Sequence, residues 1–136
     1  MLIFIKNFIP MQEFNFKKND VVMAVLVFKT IQSLICIGKF NGVDEDRKIL
    51  CLTDCLYPFL ENKMYYYSKV NVYVGGKKFD LLRKLDLLEK KSYFKILRKY
   101  NNRDGDYIEI ENKDYLAIKK DLILRIEKEA EQNGGY

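Results

Sequence analysis

The sequence predicts a mainly β protein with α: a five-stranded, strongly bent small barrel followed by a C-terminal α/β appendage. Apolar runs of strand length alternate with turn residues over Val21–Leu82, and Gly38 lies inside one of these runs. A glycine inside a strand weakens it unless the strand bends sharply, as the strands of a small barrel do. From Arg83 onward the apolar period becomes helical. The predicted boundaries are 1–20 for an N-terminal extension, 21–84 for the barrel, and 85–136 for a helical appendage with one short strand.

Five strands are predicted in the barrel region. The first is a continuous apolar run, long enough to be buried on both faces, and the fourth alternates with tyrosines on both faces. Between the third and fourth strands, Asp54–Asn62 contains Pro58 and is predicted as a packed loop. Gly75-Gly76 suits a two-residue turn between the last two strands. The predicted strands are Val21–Phe28, Leu34–Val43, Lys48–Leu52, Met64–Val74 and Phe79–Leu82.

The appendage is predicted to hold helices around a short strand. Its first part is one or two helices, broken near Ser92 or ended at Asn101-Asn102, and Tyr107–Ile110 alternates as a strand. Asn112–Asp114 offers caps for an amphipathic helix of about five turns. The apolar positions expected on the buried helix faces are Leu85, Leu88, Tyr93, Ile96 and Leu97, then Tyr115, Leu116, Ile118, Leu122, Ile123 and Ile126.

Composition limits the classes of function. The chain has 136 residues, 49% of them apolar and 32% charged, which is typical of a globular domain. A net charge of +5 favours nucleic acid or another acidic partner. The chain contains no His, the commonest general base and metal ligand. Because no catalytic constellation or phosphate loop stands out either, we expect neither an enzyme nor a bound cofactor.

Cysteines and the N-terminal run bear on the compartment. Three cysteines, Cys36, Cys51 and Cys55, fit reduced thiols in an intracellular protein, cytoplasmic or nuclear. The C-x₃-C spacing lacks the further ligands that zinc needs. The apolar run 1–9 is interrupted by Lys6 and is too short to span a bilayer. We expect it to pack on the barrel as a strand or anchor, with no membrane partner.

The order of these residues resembles that of the Sm/LSm family over Val21–Leu82. Gly38 occupies the position of the glycine in the family's first motif, and Phe40 and Val43 fall on its buried aliphatic positions. Asp44 falls on the turn aspartate, which holds the turn by accepting backbone N–H groups. The resemblance implies a bent barrel, RNA binding, and assembly by strand addition between the fourth strand of one subunit and the fifth of the next. Tudor and other SH3-like barrels share much of this strand plan.

The departures from the family pattern concern base recognition. Lys48 stands where the family has an RNA-contacting Asn, Asp46 where many members have a stacking aromatic or His, and Gly75-Gly76 where the second motif has Arg-Gly. Stacking on an aromatic side chain is worth about 1–3 kcal/mol per base, whereas a carboxylate repels phosphate. We therefore expect the family's uridine pocket to be absent or reworked, as in divergent Sm-like proteins that act as scaffolds.

Basic residues around the glycine pair are the candidate RNA-binding site. Such residues neutralise phosphates and give salt-dependent binding. The candidate residues are Lys48, Lys77, Lys78, Arg83 and Lys84, and the cluster continues into Lys90, Lys91, Lys95, Arg98 and Lys99. The alternative for this extension is a solvated helix face interleaved with Asp86 and Glu89.

Two further groups have competing interpretations. Tyr65, Tyr66 and Tyr67 form either a stacking surface for bases or a strand packed against its own helix. Asp44, Asp46 and Asp54 form either a Mg²⁺ site or, as we favour, polar turns.

Two functions remain open. The favoured one is a non-catalytic, Sm-like component of a ribonucleoprotein assembly that binds RNA backbone, neighbouring proteins, or both. The alternative is a protein–protein adaptor or ribosome-bound factor that uses its C-terminal helix or barrel edge and does not recognise RNA directly. Unpaired edge strands would allow a homo- or hetero-oligomer in either case.

Overall fold

The structure, a computed structural model, describes residues 16–26, 34–47, 49–59, 63–73, 79, 81–101 and 107–132. It contains one six-stranded antiparallel sheet in the order β5-β1-β2-β3-β4-β6, with helices packed against it. The prediction of a mainly β protein with helices is confirmed. The sheet is not closed, and it has one strand more than predicted. The strands are β1 Val21–Leu26, β2 Leu34–Asp44, β3 Ile49–Phe59, β4 Lys63–Tyr73, β5 Leu81–Lys84 and β6 Tyr107–Glu109.

The two outer strands differ from the predicted hairpin. β5 pairs with β1, with Val22 opposite Lys84, and not with β4. The edge of β4 receives β6 instead, along Tyr65–Tyr67. The strand predicted in the appendage is thus part of the main sheet, which accounts for the sixth strand. The predicted turn residues Gly75 and Gly76 lie outside the described residues.

β1 is the centre of the hydrophobic core. Its residues Val21–Val25 are buried, as their continuous apolar run predicts. Val21, Met23 and Val25 belong to a cluster shared with the helices, and Val22 and Ala24 to a second cluster on the opposite face of the sheet. A strand buried on both faces cannot alternate apolar with polar residues, which explains the unbroken run.

β3 continues well beyond its predicted end at Leu52. The segment predicted as a loop, Asp54–Asn62, is strand as far as Phe59. One extra residue in β3 is accommodated at Asp54, where the register with β2 shifts and φ is +46°. Such a β-bulge bends a strand without ending it. Pro58 lies where β3 pairs with β4, beyond the described pairing with β2, so its missing N–H is tolerated.

A second bend lies in β2. The register with β3 shifts again between Phe40 and Val43, and Gly42 adopts φ +108°. Gly38 serves a different purpose, because a Cβ there would lie 3.0 Å from the carbonyl oxygen of Thr53 and 3.2 Å from the Cα of Cys55. The glycine therefore allows β3 to approach β2 closely beside the bulge.

The bending divides β4 between two cores. Met64 and Tyr66 belong to the cluster with the helices, whereas Val72 belongs to the cluster on the opposite face. Met64, Tyr66 and Val72 are separated by even numbers of residues, so strict alternation predicts all three on one face of the sheet. A flat strand would keep them together, so β4 changes faces near Ser68, opposite the bulge in β3.

The helices follow β5 and β6. α1 is unbroken at Ser92 and begins at the N-cap Asp86. Residues 112–132 are continuously helical, with a π-helical segment in the middle. Most predicted apolar positions are buried, but Leu88 and Leu116 are exposed. The bounds are α1 Leu87–Tyr100, α2 Asn112–Ile118, the π-helical segment Lys119–Ile123 and α3 Leu124–Gln132.

Gly38→Ala should destabilise the protein by about 1–3 kcal/mol, because the new methyl meets backbone atoms that cannot move independently. Urea unfolding of both proteins measures the difference. Asn41→Ala, at an exposed position of the same strand, is the control and should change stability by less than about 0.5 kcal/mol. Equal stability of Gly38→Ala and the wild type would contradict the close approach.

Candidate nucleic-acid interface

Only part of the candidate RNA-binding set lies within the described residues. Arg83 and Lys84 lie in β5, at one edge of the sheet. Asp44 ends β2 and its carboxylate accepts the backbone N–H of Arg47 at 3.1 Å, the bond expected of a turn aspartate. Lys48, Lys77 and Lys78 lie outside the described residues.

Arg83 is committed to contacts within the chain. Its guanidinium donates to both carboxylate oxygens of Glu89, at 2.8 Å each, and to both of Glu129, at 2.7 and 2.8 Å. The remaining N–H binds the backbone carbonyl of Lys84. All the guanidinium donors are therefore used. Hydrogen bonds to Glu89, and then to Glu129, raise the pKa of Arg83.

Glu89 connects this ion pair to the start of α1. Its side chain is fully buried and accepts the backbone N–H of Asp86, while the Asp86 carboxylate accepts the N–H of Glu89. This reciprocal arrangement is a capping box. Burial opposes ionisation of Glu89, but the bonds from Arg83 and Asp86 outweigh it, and its pKa lies below the ordinary value of 4.5. Arg125 adds a 3.0 Å bond to Asp86 from α3.

Lys84 is the described candidate that remains half exposed. Its ammonium lies 3.4 Å from the carboxylate of Asp20, which also caps the backbone N–H of Lys17. An exposed pair at this distance contributes little to stability. Lys84 can therefore exchange Asp20 for another anion at low cost.

The outer face of α1 carries unpaired cations. Lys91, Lys95 and Arg98 are exposed, and no ion pair or hydrogen bond joins their side chains to another described residue. Their spacing of four and three residues places them on one face of the helix. We call Lys91, Lys95 and Arg98 the α1 basic stripe.

The carboxylates expected to neutralise this stripe are engaged elsewhere. Asp86 is the N-cap and binds Arg125, and Glu89 is buried against Arg83. Neither carboxylate is therefore available to neutralise the stripe, although the face is exposed to solvent. The missed signal was the D-x-x-E spacing of Asp86 and Glu89, which predicts a capping box.

Among the described residues, acidic groups of the facing helical segment lie beside Lys95 and Lys99. A cavity of about 140 Å³ between α1 and α2 is lined by Lys95, Lys99, Asp114 and Asp121, among others. Lys99 binds Asp114 at 2.8 Å, and this bond raises the pKa of Lys99 to about 12. Asp121 is exposed and forms no ion pair within the described chain.

The tyrosines do not form the single platform considered from the sequence. Tyr66 is buried beneath the helices, whereas Tyr65 and Tyr67 lie on the opposite face with Tyr57. Tyr107 of β6 joins them, and its ring stacks on Tyr67 at 5.6 Å and 27°. Tyr107 is 60% exposed, so this cluster attaches β6 to the sheet and also presents an aromatic surface. The sequence did not point to Tyr107.

Asp54 is a structural centre and not a metal ligand with Asp44 and Asp46. Its carboxylate accepts the Tyr66 hydroxyl at 2.6 Å and pairs with Lys39 at 3.0 Å, and its carbonyl accepts the Tyr93 hydroxyl. Burial, followed by the nearby Asp54 charge, raises the pKa of Tyr93. Within the described ranges, no cluster of His, Cys, Asp or Glu is suited to hold a metal ion.

The cysteines lie inside the sheet core. Cys36 and Cys55 are buried free thiols in the cluster opposite the helices, and Cys51 is half-buried. Hydrogen bonding to Cys36, and then burial, raises the pKa of the Cys55 thiol. A raised pKa disfavours the thiolate, which is the reactive form, so Cys55 is a packing residue.

Comparisons with known proteins identify no relative: no protein-family model, curated protein or solved structure matches the chain. The resemblance to the Sm/LSm family therefore stays a prediction. None of the helices in the described part of the chain has the length and apolar character needed to cross a membrane.

Glu89→Gln should lower the free energy of unfolding by about 3 kcal/mol, because it leaves Arg83 partly uncompensated. The folded-state pKa of Glu89 lies below 4.5, so its contribution is complete above that pH and is lost as the pH falls through the folded value. Urea unfolding across the acidic range should show the wild-type advantage narrowing only below about pH 4.5. Glu131→Gln, exposed on α3, is the control, and an equal effect there would contradict this role.

Asp54→Ala should be less stable than Asp54→Gly by about 1 kcal/mol. Both changes remove the bonds to Tyr66 and Lys39, but only alanine is strained at φ +46°. Thermal unfolding of the two variants measures this difference. The reverse order of stability would show that the bulge does not constrain this position.

Proposed function

We propose that this protein is a non-catalytic, Sm-like component of a ribonucleoprotein assembly that contacts RNA through its phosphates, together with neighbouring proteins. The observation that supports this proposal is which charged side chains form ion pairs among the described residues. Among the described residues, eight carboxylates form ion pairs, whereas exposed cations such as Lys63, Lys91 and Arg98 have no acidic partner there. The paired carboxylates are Asp20, Asp44, Asp54, Asp86, Glu89, Glu111, Asp114 and Glu129.

Ion pairing removes equal positive and negative charge, so the net charge of +5 resides on the remaining charged side chains. A carboxylate held in an internal ion pair cancels a nearby cation, and the remaining cations are left to face solvent. Such a surface attracts a polyanion, and counterion release makes the binding salt-dependent.

The shape of the sheet supports the Sm-like part of the proposal. The close approach at Gly38 and the bulges at Gly42 and Asp54 give the long central strands the bends that a small barrel requires. Phe40 is buried in the core and Val43 packs against it, as the resemblance implies.

The RNA contacts predicted from the sequence change by one residue. Lys48, Lys77, Lys78 and Lys84 remain proposed phosphate contacts. Arg83 is not one of them, because binding a phosphate there would break its bonds to Glu89 and Glu129. Of the four proposed lysines, Lys84 lies within the described residues.

A second candidate, a protein–protein adaptor, is favoured by the open edge of β4. β6 covers only Tyr65–Tyr67, and among the described strands none pairs with Ser68–Tyr73 on that side. An uncovered strand edge is a template for strand addition. A protein partner that survives nuclease treatment during co-purification would favour the adaptor, whereas loss of all partners would favour RNA.

The purified protein should bind a single-stranded RNA with an affinity that falls as salt rises. The triple variant Lys77→Glu, Lys78→Glu, Lys84→Glu should reduce the slope of log K against log salt by about 2, at about 0.7 per lost contact. Fluorescence anisotropy during a salt titration measures both effects.

The control is a second triple variant with the same change in net charge as the first. Lys18→Glu, Lys69→Glu, Lys128→Glu replaces exposed lysines on other parts of the molecule. Binding by the wild type that is insensitive to salt would overturn the proposed function.

A further inference from the structure

We infer that the α1 basic stripe, formed by Lys91, Lys95 and Arg98, is a second contact surface for the phosphate backbone of RNA. This inference rests on the proposed function and extends it to α1. The three side chains are exposed, and no bond to another described residue occupies them.

The positive charge of the stripe results from the tertiary structure. Within α1 and at its N-cap the acidic residues are Glu89 and Asp86, and both are engaged away from the stripe by Arg83 and Arg125. On the facing helical segment, Asp114 binds Lys99 and Asp121 lies beside Lys95. A solvated surface helix ordinarily intersperses its cations with carboxylates four residues away. Here the fold removes those carboxylates, so the charges of the stripe add.

The geometry of the stripe suits a regularly charged polymer. Lys91 and Lys95 are about 6 Å apart along the helix axis, and Lys95 and Arg98 about 4.5 Å. A line of single cations at such intervals contacts successive phosphates along one strand, and Arg98 offers a planar fork for one of them. An acidic protein offers no such regular charge spacing, so RNA is the occupant that we propose.

The rigidity of α1 favours this use. Its first turn is held by the capping box, and its last turn is tied to α2, because Tyr100 donates to Asp114 and accepts from the backbone of Glu111. Because the helix is fixed at both ends, binding orders only the side chains of the stripe and not the backbone that carries them.

The test compares two triple variants with equal change in charge. Lys91→Glu, Lys95→Glu, Arg98→Glu should reduce the slope of log K against log salt for a single-stranded oligouridine by about 2. The control Lys18→Glu, Lys69→Glu, Lys128→Glu should keep the wild-type slope. An equal loss in both variants would overturn the stripe while leaving salt-dependent RNA binding, and hence the proposed function, intact.

A variant that is expected to tighten RNA binding keeps the test valid if the triple variant misfolds. Asp121→Asn removes the unpaired carboxylate beside Lys95 and should tighten RNA binding, whereas Glu131→Gln on α3 should not. Circular dichroism confirms folding in each case. No tightening with Asp121→Asn, or tightening in both variants, would count against the stripe.

Poly-L-glutamate tests the other class of partner. As a competitor at equal charge concentration, it should displace the RNA less effectively than unlabelled RNA does. More effective displacement by poly-L-glutamate would overturn the assignment to RNA and point to an acidic protein.

Discussion

The ion pair between Arg83 and the carboxylates of Glu89 and Glu129 is the interaction on which the arrangement of the molecule depends. Arg83 lies on the edge strand β5, Glu89 in the first turn of α1, and Glu129 on α3, so one guanidinium joins two consecutive elements to a third that is distant in sequence. A buried ion pair of this kind adds little net stability, because desolvation offsets the attraction. Its effect is on geometry: α1 can begin only where Glu89 reaches both Arg83 and the N-cap.

The same interaction decides which charges remain on the surface. By drawing Glu89 inward and leaving Asp86 to Arg125, it leaves Lys91, Lys95 and Arg98 without an acidic neighbour on α1. The ion pair that fixes the start of α1 is thus also the one that leaves the α1 basic stripe available for the proposed RNA contact. The basic face of α1 therefore depends on the fold as well as on the composition. It is present only when α1 and α3 form their ion pairs with β5 and with each other.

The second constraint lies in the sheet. The bulge at Asp54 inserts one residue into β3, and hydroxyl groups from β4 and α1 hold it through Tyr66 and Tyr93. The bulge changes which face of the sheet the residues of β3 occupy, and β4 changes faces at the same level. Gly38 leaves space on β2 for the close approach of β3. The bend that the sequence attributes to one glycine is therefore produced by several groups, of which the two phenolic ones, Tyr66 and Tyr93, come from outside β2.

The sequence by itself determined the identity and period of most elements. The unbroken apolar run of β1, the turn aspartate Asp44 and the buried stripe from Tyr115 to Ile126 follow from local pattern, because burial selects residue type at each position. Only the tertiary structure decided which strand pairs with which, that β3 passes through Asp54, and that Arg83 faces inward. These depend on contacts across tens of residues, such as Arg83 with Glu129. Local pattern carries no record of such contacts, because the same arginine is equally suited to a carboxylate of the chain and to a phosphate outside it.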